Sequence, residues 1–308
     1  MQVTRGLAPR LDRPVALTIG NFDGVHKGHQ QMLNRLVRAA QTRDLKASVL
    51  TFEPHPRELF TPASAPTRLT SLREKLTLLA AHGVEHVHVQ RFNRAFAALS
   101  PEAFVEGLLV DGLRVRWVLV GDDFRYGARR AGDLAALQRA AQVHGFTLET
   151  MPTVTNGGMR ISSSAVRAAL SVGDLAQAER LLGRRYSISG RVVHGRKLGR
   201  ELGFATANVQ MKHNRPPLSG IFAVRVHGAG DGVCDGVASL GLRPTITANG
   251  RNTLEVHLFD FQREIYGRHL RVEFLAKIRD EEKYADLETL KAQIARDCIA
   301  ARDILESR

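Results

Sequence analysis

The chain has 308 residues, of which 44% are hydrophobic and 24% charged, and its net charge at pH 7 is +13. This length and composition are typical of a globular protein of about two domains. No apolar run reaches the roughly 18 residues that a membrane span needs, and the first residues lack the apolar core of a signal peptide. We therefore expect a cytoplasmic protein with no membrane partner.

The positive charge could indicate nucleic-acid binding, so its distribution matters. Residues 1–182 carry a net charge of +7 and the remainder carries +6, without a run of basic residues. An even excess that is mostly arginine favours phosphorylated small molecules over nucleic acid as partners. The two cysteines, Cys234 and Cys298, lack metal-ligand spacing and are expected to be reduced thiols.

The most informative stretch lies between a predicted strand and a predicted helix. An apolar run at 14–19 predicts a buried strand, and the apolar spacing at 31–40 predicts a helix. The residues between them include three glycines and two histidines, His26 and His29. In an α/β sheet such a loop lies where the next helix begins, and unpaired N–H groups there can bind phosphate.

The two histidines are three residues apart, so a helical turn would project them from one face. Imidazoles placed there can donate hydrogen bonds to phosphate oxygens whose charge grows during a reaction. Two surface histidines on an ordinary loop are the alternative, and a zinc site is less favoured because no third ligand is evident nearby. The glycines and the strand-loop-helix setting favour the phosphate site.

Residues 26–29 match the H-x-G-H signature of the nucleotidyltransferase superfamily, and residues 20–26 resemble its flavin branch. That branch is the family of bacterial bifunctional riboflavin kinase/FMN adenylyltransferases. The resemblance implies that the first loop binds ATP phosphates and that its histidines are catalytic. The implied residues are Gly20, Asn21, Phe22 and Asp23 for binding, and His26 and His29 for catalysis.

Other strand ends carry further matches to this family. The pattern F-x-P-H-P at 52–56 resembles an element near the ATP phosphates, which implies that His55 binds phosphate. The segment at 120–127 resembles V-G-x-D-F-x-F-G, with Tyr126 in place of phenylalanine, and implies that Asp123 orders the nucleotide or its metal. An Asp-rich turn is the alternative there. The resemblance also implies flavin contacts from Phe92, Asn93 and Phe124.

Three histidines around the predicted strand at 86–89 could suggest a metal site: His82, His86 and His88. Alternating histidines at a strand edge are more often solvated, and we expect that here.

Consecutive serines before an apolar-periodic run predict the N-cap of a helix, with Arg167 in its first turn. A plain capped helix is the alternative to an anion site. Residues 161–167 resemble the superfamily's I-S-S-[ST]-x-x-R segment, which implies that Ser162, Ser163, Ser164 and Arg167 hold the phosphates that leave as pyrophosphate. Strand-helix alternation through residue 182 predicts a parallel sheet with helices on both faces. We therefore predict a Rossmann-like α/β nucleotidyltransferase domain over 1–182.

The pattern changes at residue 183, where strands with Gly, Pro and Asn turns replace the alternation. This predicts an antiparallel β-barrel over 183–308. A helix over roughly 286–305 is predicted to close it, with an inward stripe of Leu287, Leu290, Ile294, Cys298 and Ala301. The predicted strands are 187–193, 220–227, 232–240, 252–258 and 270–278.

The second half contains its own glycine-rich, basic segment at 190–200, which could bind phosphate through Gly195, Arg196 and Gly199 but lacks Walker A spacing. Residues 203–208 resemble the G-[FY]-P-T-A-N pattern of riboflavin kinases, with Ala205 in place of proline. The resemblance implies that Thr206 and Asn208 hold Mg²⁺ and that Glu255 is the general base. Without the family, a turn and a solvent-facing glutamate would be the plainer interpretations.

The resemblance covers essentially the whole chain. It implies an enzyme that converts riboflavin and ATP to FMN and ADP, and then FMN and a second ATP to FAD and pyrophosphate. One rival is a nucleotidyltransferase acting on another phosphorylated metabolite. Another is a flavin-sensing or nucleic-acid-binding protein without turnover. The sequence leaves self-association open.

Overall fold

The structure is a computed structural model that describes residues 1–6, 11–195, 203–211, 215–242 and 252–307. Its contacts divide the chain into two units. The first unit comprises Met1–Pro66 and Leu72–Ser162, and the second comprises Thr67–Ser71 and Ser163–Arg308. The prediction that the two activities divide at residue 182 stays a prediction.

The first unit is built on a six-stranded sheet in which every strand pair is parallel, in the order β1-β4-β3-β2-β5-β6. This confirms the predicted parallel sheet. The central strand is fully buried, which explains its unbroken apolar run. The first strand was not predicted, because it is short and mostly exposed. The strands are β1 Gln2–Arg5, β2 Val15–Ile19, β3 Lys46–Glu53, β4 His86–Arg91, β5 Val115–Gly121 and β6 Thr147–Met151.

Helices connect these strands, and two 3₁₀ turns, Pro62–Ser64 and Ala128–Arg130, lie between them. A short α-helix, Pro101–Ala103, passes directly into a π-helix, Phe104–Gly112. A small antiparallel ribbon follows the sheet, formed by β7 Thr155–Asn156 and β8 Met159–Arg160. The α-helices are α1 Lys27–Thr42, α2 Pro56–Phe60, α3 Leu72–Ala81, α4 Arg94–Ala97, α5 Pro101–Ala103 and α6 Leu134–His144.

Helices cover both faces of the sheet, as predicted. Alternate residues of β2 point to opposite faces: Val15 and Leu17 pack with the π-helix and α6, whereas Ala16 packs with α1 and α3. Each fully buried leucine or valine side chain in these two cores contributes about 1.5–3 kcal/mol relative to exposure. The two cores fix the strand ends at which the sequence motifs lie.

The expectation that His86 and His88 are solvated was wrong, because both are buried in β4. Hydroxyl groups from the neighbouring strands satisfy them. The Thr4 Oγ1 lies 3.0 Å from the His86 Nε2 and 2.8 Å from the His88 Nδ1, and the Ser48 Oγ lies 2.7 Å from the His86 Nδ1. Burial, with a smaller contribution from Lys46, lowers the pKa of His86 to about 4. The unpredicted strand β1 supplies one of these hydroxyls.

The second unit is a closed antiparallel barrel with a C-terminal helix, which confirms the predicted fold. The strand order around the barrel is β10-β13-β12-β11-β14-β9, and pairing of β9 with β10 closes it. The sequence predicted five of these strands but not β10, whose residues were identified only as a ligand-binding motif. The elements are α7 Ser163–Ser171, α8 Leu175–Leu182, β9 Ser187–Val193, β10 Thr206–Gln210, β11 Gly220–His227, β12 Cys234–Leu242, β13 Asn252–Leu258, β14 His269–Arg279 and α9 Leu287–Glu306.

Helix α9 packs on the outside of the barrel through Ala301 and Leu305. Its Asp297 is buried and accepts two hydrogen bonds from Arg279, at 2.6 and 2.8 Å. The prediction that Leu287 points inward was wrong, since 55% of it is exposed. Leu287 is the first residue of the helix, whereas the fully buried positions lie in the second half. No helix among the described residues is long and apolar enough to cross a membrane.

Candidate active sites

The loop between β2 and α1 turns through backbone conformations that L-residues rarely adopt. The φ angles are +49° at Phe22, +83° at Gly24 and +41° at Val25. The side chains of Phe22 and Val25 are fully buried beneath the loop, and Asp23 is 2% exposed. Positive φ at non-glycine residues costs free energy and is concentrated at functional sites. The buried side chains therefore hold this loop in one shape.

The two histidines of the loop lie together at the start of α1, as their spacing predicts. His26 is the N-cap, and its Nδ1 accepts a hydrogen bond from the His29 backbone N–H at 3.3 Å. The imidazole rings stack with centroids 3.7 Å apart. Because the His26 Nδ1 is an acceptor, the proton of the neutral ring lies on Nε2, which can donate to a ligand.

Two polar atoms of this loop are buried without a hydrogen-bond partner among the described residues: the Oδ1 of Asn21 and the Nδ1 of His29. Leaving such an atom unpaired costs about 1–3 kcal/mol. Burial, then the charges of His26 and Lys75, lower the pKa of His29 well below its ordinary value. The ring is therefore neutral at pH 7 and able to donate one hydrogen bond. Unpaired buried atoms at a helix N-terminus are what a bound polar group would satisfy.

Two of the loop's glycines are required by close packing. A Cβ atom at Gly28 would lie 3.2 Å from the Cε1 and Nδ1 of His26, and one at Gly20 would lie 3.2 Å from the Phe22 ring. Contacts this short need the neighbouring ring to move. The stacked imidazoles thus depend on the absence of a side chain at Gly28.

A cavity of about 650 Å³ opens at the carboxyl ends of the strands of the first unit. This is where open α/β sheets bind ligands. Its lining contains predicted site residues that follow four different strands. Basic and aromatic side chains that no motif marked also line it: Arg57, Phe60, Phe96, Arg125, Arg129 and Arg130. The predicted lining residues are Gly20, Asn21, His55, Phe92, Asp123 and Phe124.

One wall of this cavity is aromatic. Phe92 contacts Phe52 and Phe96 edge-on, with centroids 5.8 and 5.7 Å apart, and Phe124 stacks with Tyr126 at 5.7 Å. Such a wall suits a flat, apolar ring system such as a flavin. Asn93 does not line the cavity: its Oδ1 caps α4 by accepting from the Phe96 N–H at 2.8 Å. It therefore orders the aromatic wall from behind.

Two predicted phosphate ligands have local partners. The Nδ1 of His55 caps α2 by accepting from the Arg57 N–H at 3.2 Å, in a capping box completed by Glu58. Asp123 accepts a hydrogen bond from Arg160 at 2.8 Å, and both side chains are exposed. An exposed ion pair of this kind contributes at most about 1 kcal/mol, so Asp123 can exchange partners readily.

The predicted pyrophosphate segment spans the two units. Ser162 ends the first unit, and Ser163, Ser164 and Arg167 belong to the second. Arg167 is the fifth residue of α7, so it lies in the second turn and not in the first as predicted, because the helix begins at Ser163. Its Nε donates to the Thr67 carbonyl oxygen at 2.6 Å. The phosphate-binding role of this segment stays a prediction.

In the barrel, the predicted kinase residues lie on two paired strands. Asn208 of β10 lies directly opposite Glu255 of β13, and Thr206 lies opposite His257. Opposite residues of an antiparallel pair project to the same face, so these four side chains share one. Leu254 and Val256 are fully buried, and successive residues of a strand point to opposite faces, so Glu255 lies on the other face of its strand.

Glycine and histidine neighbours fit around these residues. A Cβ atom at Gly195 would clash with the Asn208 carboxamide, so the two predicted residues are in contact. The His257 Nδ1 lies 2.9 Å from the Ala205 carbonyl oxygen and holds the start of β10. No motif in the sequence marks His257, although this residue lies on the same face of β13 as Glu255. Arg196 and Gly199 lie outside the described residues.

A second cavity, of about 500 Å³, lies beside Thr206 in the barrel. His194 and Tyr266 line it as a ring pair with centroids 3.9 Å apart. Apolar residues such as Val256 and Ile265 complete the lining, and neither Asn208 nor Glu255 is part of it. Thr206 is therefore the predicted residue that connects this cavity with the shared face.

Comparison with known proteins gives a consistent result for both halves. The FAD synthetase family matches residues 8–165, and the riboflavin kinase family matches residues 182–305. The chain is 50% identical over 306 residues to the bifunctional riboflavin kinase/FMN adenylyltransferase of Escherichia coli (strain K12), covering 98% of this chain and 97% of that protein. The protein of the same description from Haemophilus influenzae is 45% identical, with 100% of both chains covered.

The fold is also similar to the crystal structure of a macrolide-efflux protein from Streptococcus pneumoniae, with a TM-score of 0.81 and 26% identity, covering 96% of this chain and 97% of that chain. The two family matches and the full-length relatives show which reactions the chain catalyses. It phosphorylates riboflavin with ATP to give FMN and ADP, and it joins FMN to the AMP part of ATP to give FAD and pyrophosphate. The chain thus belongs to the family of bifunctional riboflavin kinase/FMN adenylyltransferases.

Proposed function

We propose that the two reactions use the two sites separately, adenylyl transfer at the loop of residues 20–29 and phosphorylation at the shared face of β10 and β13. The domain that carries adenylyl transfer would be 1–182, and the kinase domain 183–308. The observation that supports the first assignment is the pair of unpaired buried atoms, the Asn21 Oδ1 and the His29 Nδ1, at the start of α1. The register that sets Asn208 opposite Glu255 supports the second.

In adenylyl transfer, a phosphate oxygen of FMN attacks the α-phosphorus of ATP, and pyrophosphate leaves. His26 and His29 would donate hydrogen bonds to phosphate oxygens as charge builds on them, which requires an N–H of each ring to be held in a fixed position. The stack of the two rings and the hydrogen bond from the His29 backbone N–H to the His26 Nδ1 support that role. No covalent enzyme intermediate is needed.

The remaining ligands of this reaction follow from the cavity. Phe92 and Phe124 would contact the flavin ring, which the aromatic wall fits. The backbone of residues 20–23, with His55, would hold the ATP phosphates, and Asp123 would order the nucleotide or its metal. Arg167 and the three serines at 162–164 would hold the pyrophosphate as it leaves. The resemblance of residues 161–167 to the superfamily motif supports this role.

In phosphorylation, Glu255 would accept the proton of the ribityl 5′-hydroxyl as that oxygen attacks the γ-phosphorus of ATP. Thr206 and Asn208 would hold Mg²⁺, since a hydroxyl and an amide oxygen are ligands that a hard cation prefers, and both lie on the face that Glu255 occupies. When bound, Mg²⁺ neutralises charge on the ATP phosphates. Gly195 would let the backbone approach the phosphates beside Asn208.

We further propose a cytoplasmic enzyme that takes riboflavin, FMN and ATP as its partners and does not bind nucleic acid. Two observations support this: Cys234 and Cys298 are both free thiols, and ATP is the co-substrate of both reactions. Nucleic-acid affinity that persists at physiological salt would contradict it.

The test supplies riboflavin, ATP and Mg²⁺ and separates FMN from FAD by chromatography. Glu255→Gln should abolish FMN formation but convert added FMN to FAD at the wild-type rate. Glu273→Gln, which changes another carboxylate of the barrel, serves as the matched control and should retain both steps. Parallel loss of both steps in Glu255→Gln would contradict separate sites.

A further inference from the structure

A buried lysine lies beneath the first loop and has no part in the roles assigned above. Lys75 of α3 is 1% exposed, although lysine is seldom buried so completely. Its Nζ lies 3.5 Å from the Thr51 Oγ1, and the Thr51 hydroxyl in turn donates to the Asn21 carbonyl oxygen at 3.2 Å. The lysine is thus connected through one side chain to the loop that carries His26 and His29.

We propose that Lys75 is a positioning residue for adenylyl transfer, which holds the Asn21 end of the loop through Thr51 and places a buried positive charge beneath the loop that carries His29. This inference rests on the proposed use of the loop as the adenylyl-transfer site. It adds a residue from a separate helix that touches neither nucleotide nor flavin in the assigned roles.

The first part of the role is mechanical. Asn21 and Gly20 line the cavity at the end of β2, and the Asn21 carboxamide is itself one of the unpaired groups there. The hydrogen bonds run in one direction, from ammonium to hydroxyl to carbonyl, so each donor has an acceptor. A chain of this kind holds the backbone of Asn21 in place through its carbonyl oxygen.

The second part of the role is electrostatic. Burial of the ring, the adjacent His26 and the charge of Lys75, in that order, lower the pKa of His29; these are the titratable groups that act on it among the described residues. A cation near an imidazole disfavours a second positive charge, so removing the cation should raise that pKa. If the neutral ring is the active form, the acid midpoint of the activity profile should then move to higher pH.

The test compares Lys75→Met with Lys75→Arg, which keeps the charge, and with Thr51→Val, which keeps the charge but removes the link. For each variant, FAD formation from FMN and ATP is followed across pH, and the His29 imidazole is titrated by NMR. Lys75→Met should move the acid midpoint of kcat/KM and the His29 titration upward by roughly half a pH unit or more. Lys75→Arg should leave both near their wild-type positions.

Thr51→Val should raise the KM for ATP roughly threefold to tenfold without moving the acid midpoint. The electrostatic role is overturned if Lys75→Met leaves both the midpoint and the His29 titration unchanged, and the mechanical role if Thr51→Val leaves the KM unchanged. If Lys75→Met shows no cooperative unfolding, Lys75→Gln replaces it in the titration. A His29→Ala variant that forms FAD at the wild-type rate would instead refute the loop as the site, whatever Lys75 does.

Discussion

The two candidate sites are held in place by different kinds of structure. In the first unit, the loop after β2 is partly buried, and two stacked imidazoles and two unpaired polar atoms lie at the start of α1. In the barrel, the predicted groups project from the outer face of two paired strands, and their spacing is set by register alone. The first site is pre-formed by packing, whereas the second is pre-formed by strand pairing. The two should therefore respond differently to the same kinds of perturbation.

The largest expected effect separates the sites by activity. Replacing His29 with Ala would remove a proposed donor to the reacting phosphates, and FAD formation from FMN should fall roughly 100- to 1000-fold. FMN formation from riboflavin should continue, so FMN accumulates. Chromatography of the products over time measures both. Continued FAD production at the wild-type rate would contradict a role for His29 and the assignment of adenylyl transfer to this loop.

Next is a stability effect confined to the barrel. Asp297→Ala leaves the Arg279 guanidinium without its buried partner, and breaking such a pair costs about 3–5 kcal/mol of unfolding free energy. Denaturation monitored by loss of FMN formation should shift to lower denaturant. Asp303→Ala, an exposed carboxylate of the same helix, is the control and should change little. If the two variants lower the denaturation midpoint equally, the buried Arg279–Asp297 pair does not stabilise the barrel as predicted.

A third prediction concerns acid, and it affects the first unit. The pKa of His86 is about 4 when folded, against about 6.5 when unfolded. The unfolded chain therefore binds the proton more readily, so the stabilisation is complete above pH 6.5 and is lost as pH falls toward 4. The loss amounts to about 3 kcal/mol. His86→Gln should flatten this part of the stability-versus-pH curve.

His29 and His88 are shifted in the same direction by burial, so the flattening should be partial. Unfolding free energies from denaturant titrations between pH 4 and 7 provide the measurement. A wild-type curve and a His86→Gln curve of identical slope would contradict the role of this buried histidine.

The smallest effect tests the aromatic wall. Asn93→Ala removes the N-cap of α4 and should lower the unfolding free energy by about 1 kcal/mol. Because the cap lies beside Phe96, the KM for FMN should also rise modestly while that for riboflavin is unchanged. Asn93→Ser, which can still cap, should restore both. Failure of the serine to rescue either quantity would point to a direct contact between Asn93 and the flavin.

Much of this organisation was predictable because local pattern and final structure agree. The apolar run at 14–19 predicted the fully buried central strand, and the strand predicted at 252–258 is present as β13. The failures have a common physical cause. Strands β1 and β10 are short and carry polar residues, so only their pairing partners reveal them.

Site residues were predictable only where a motif carried them. His26 and His29 were identified from their spacing, whereas Lys75 lies on another helix and shows no signal beyond an ordinary amphipathic pattern. The burial of His86 and His88 depends on hydroxyls from two other strands. Such long-range satisfaction of polar groups is decided by topology, which residue types along one segment do not encode.

The closure of the barrel restricts how its strands can shift relative to one another. Since β9 pairs with β10 and completes the circle, β10 cannot slide by one residue without every neighbour sliding too. Such a slide would turn Val209 outward and bury Asn208. The closed barrel therefore holds Thr206, Asn208 and Glu255 together on one face of the strand pair. A change in the length of a turn at the rim would leave that shared face intact as long as the strand register is kept.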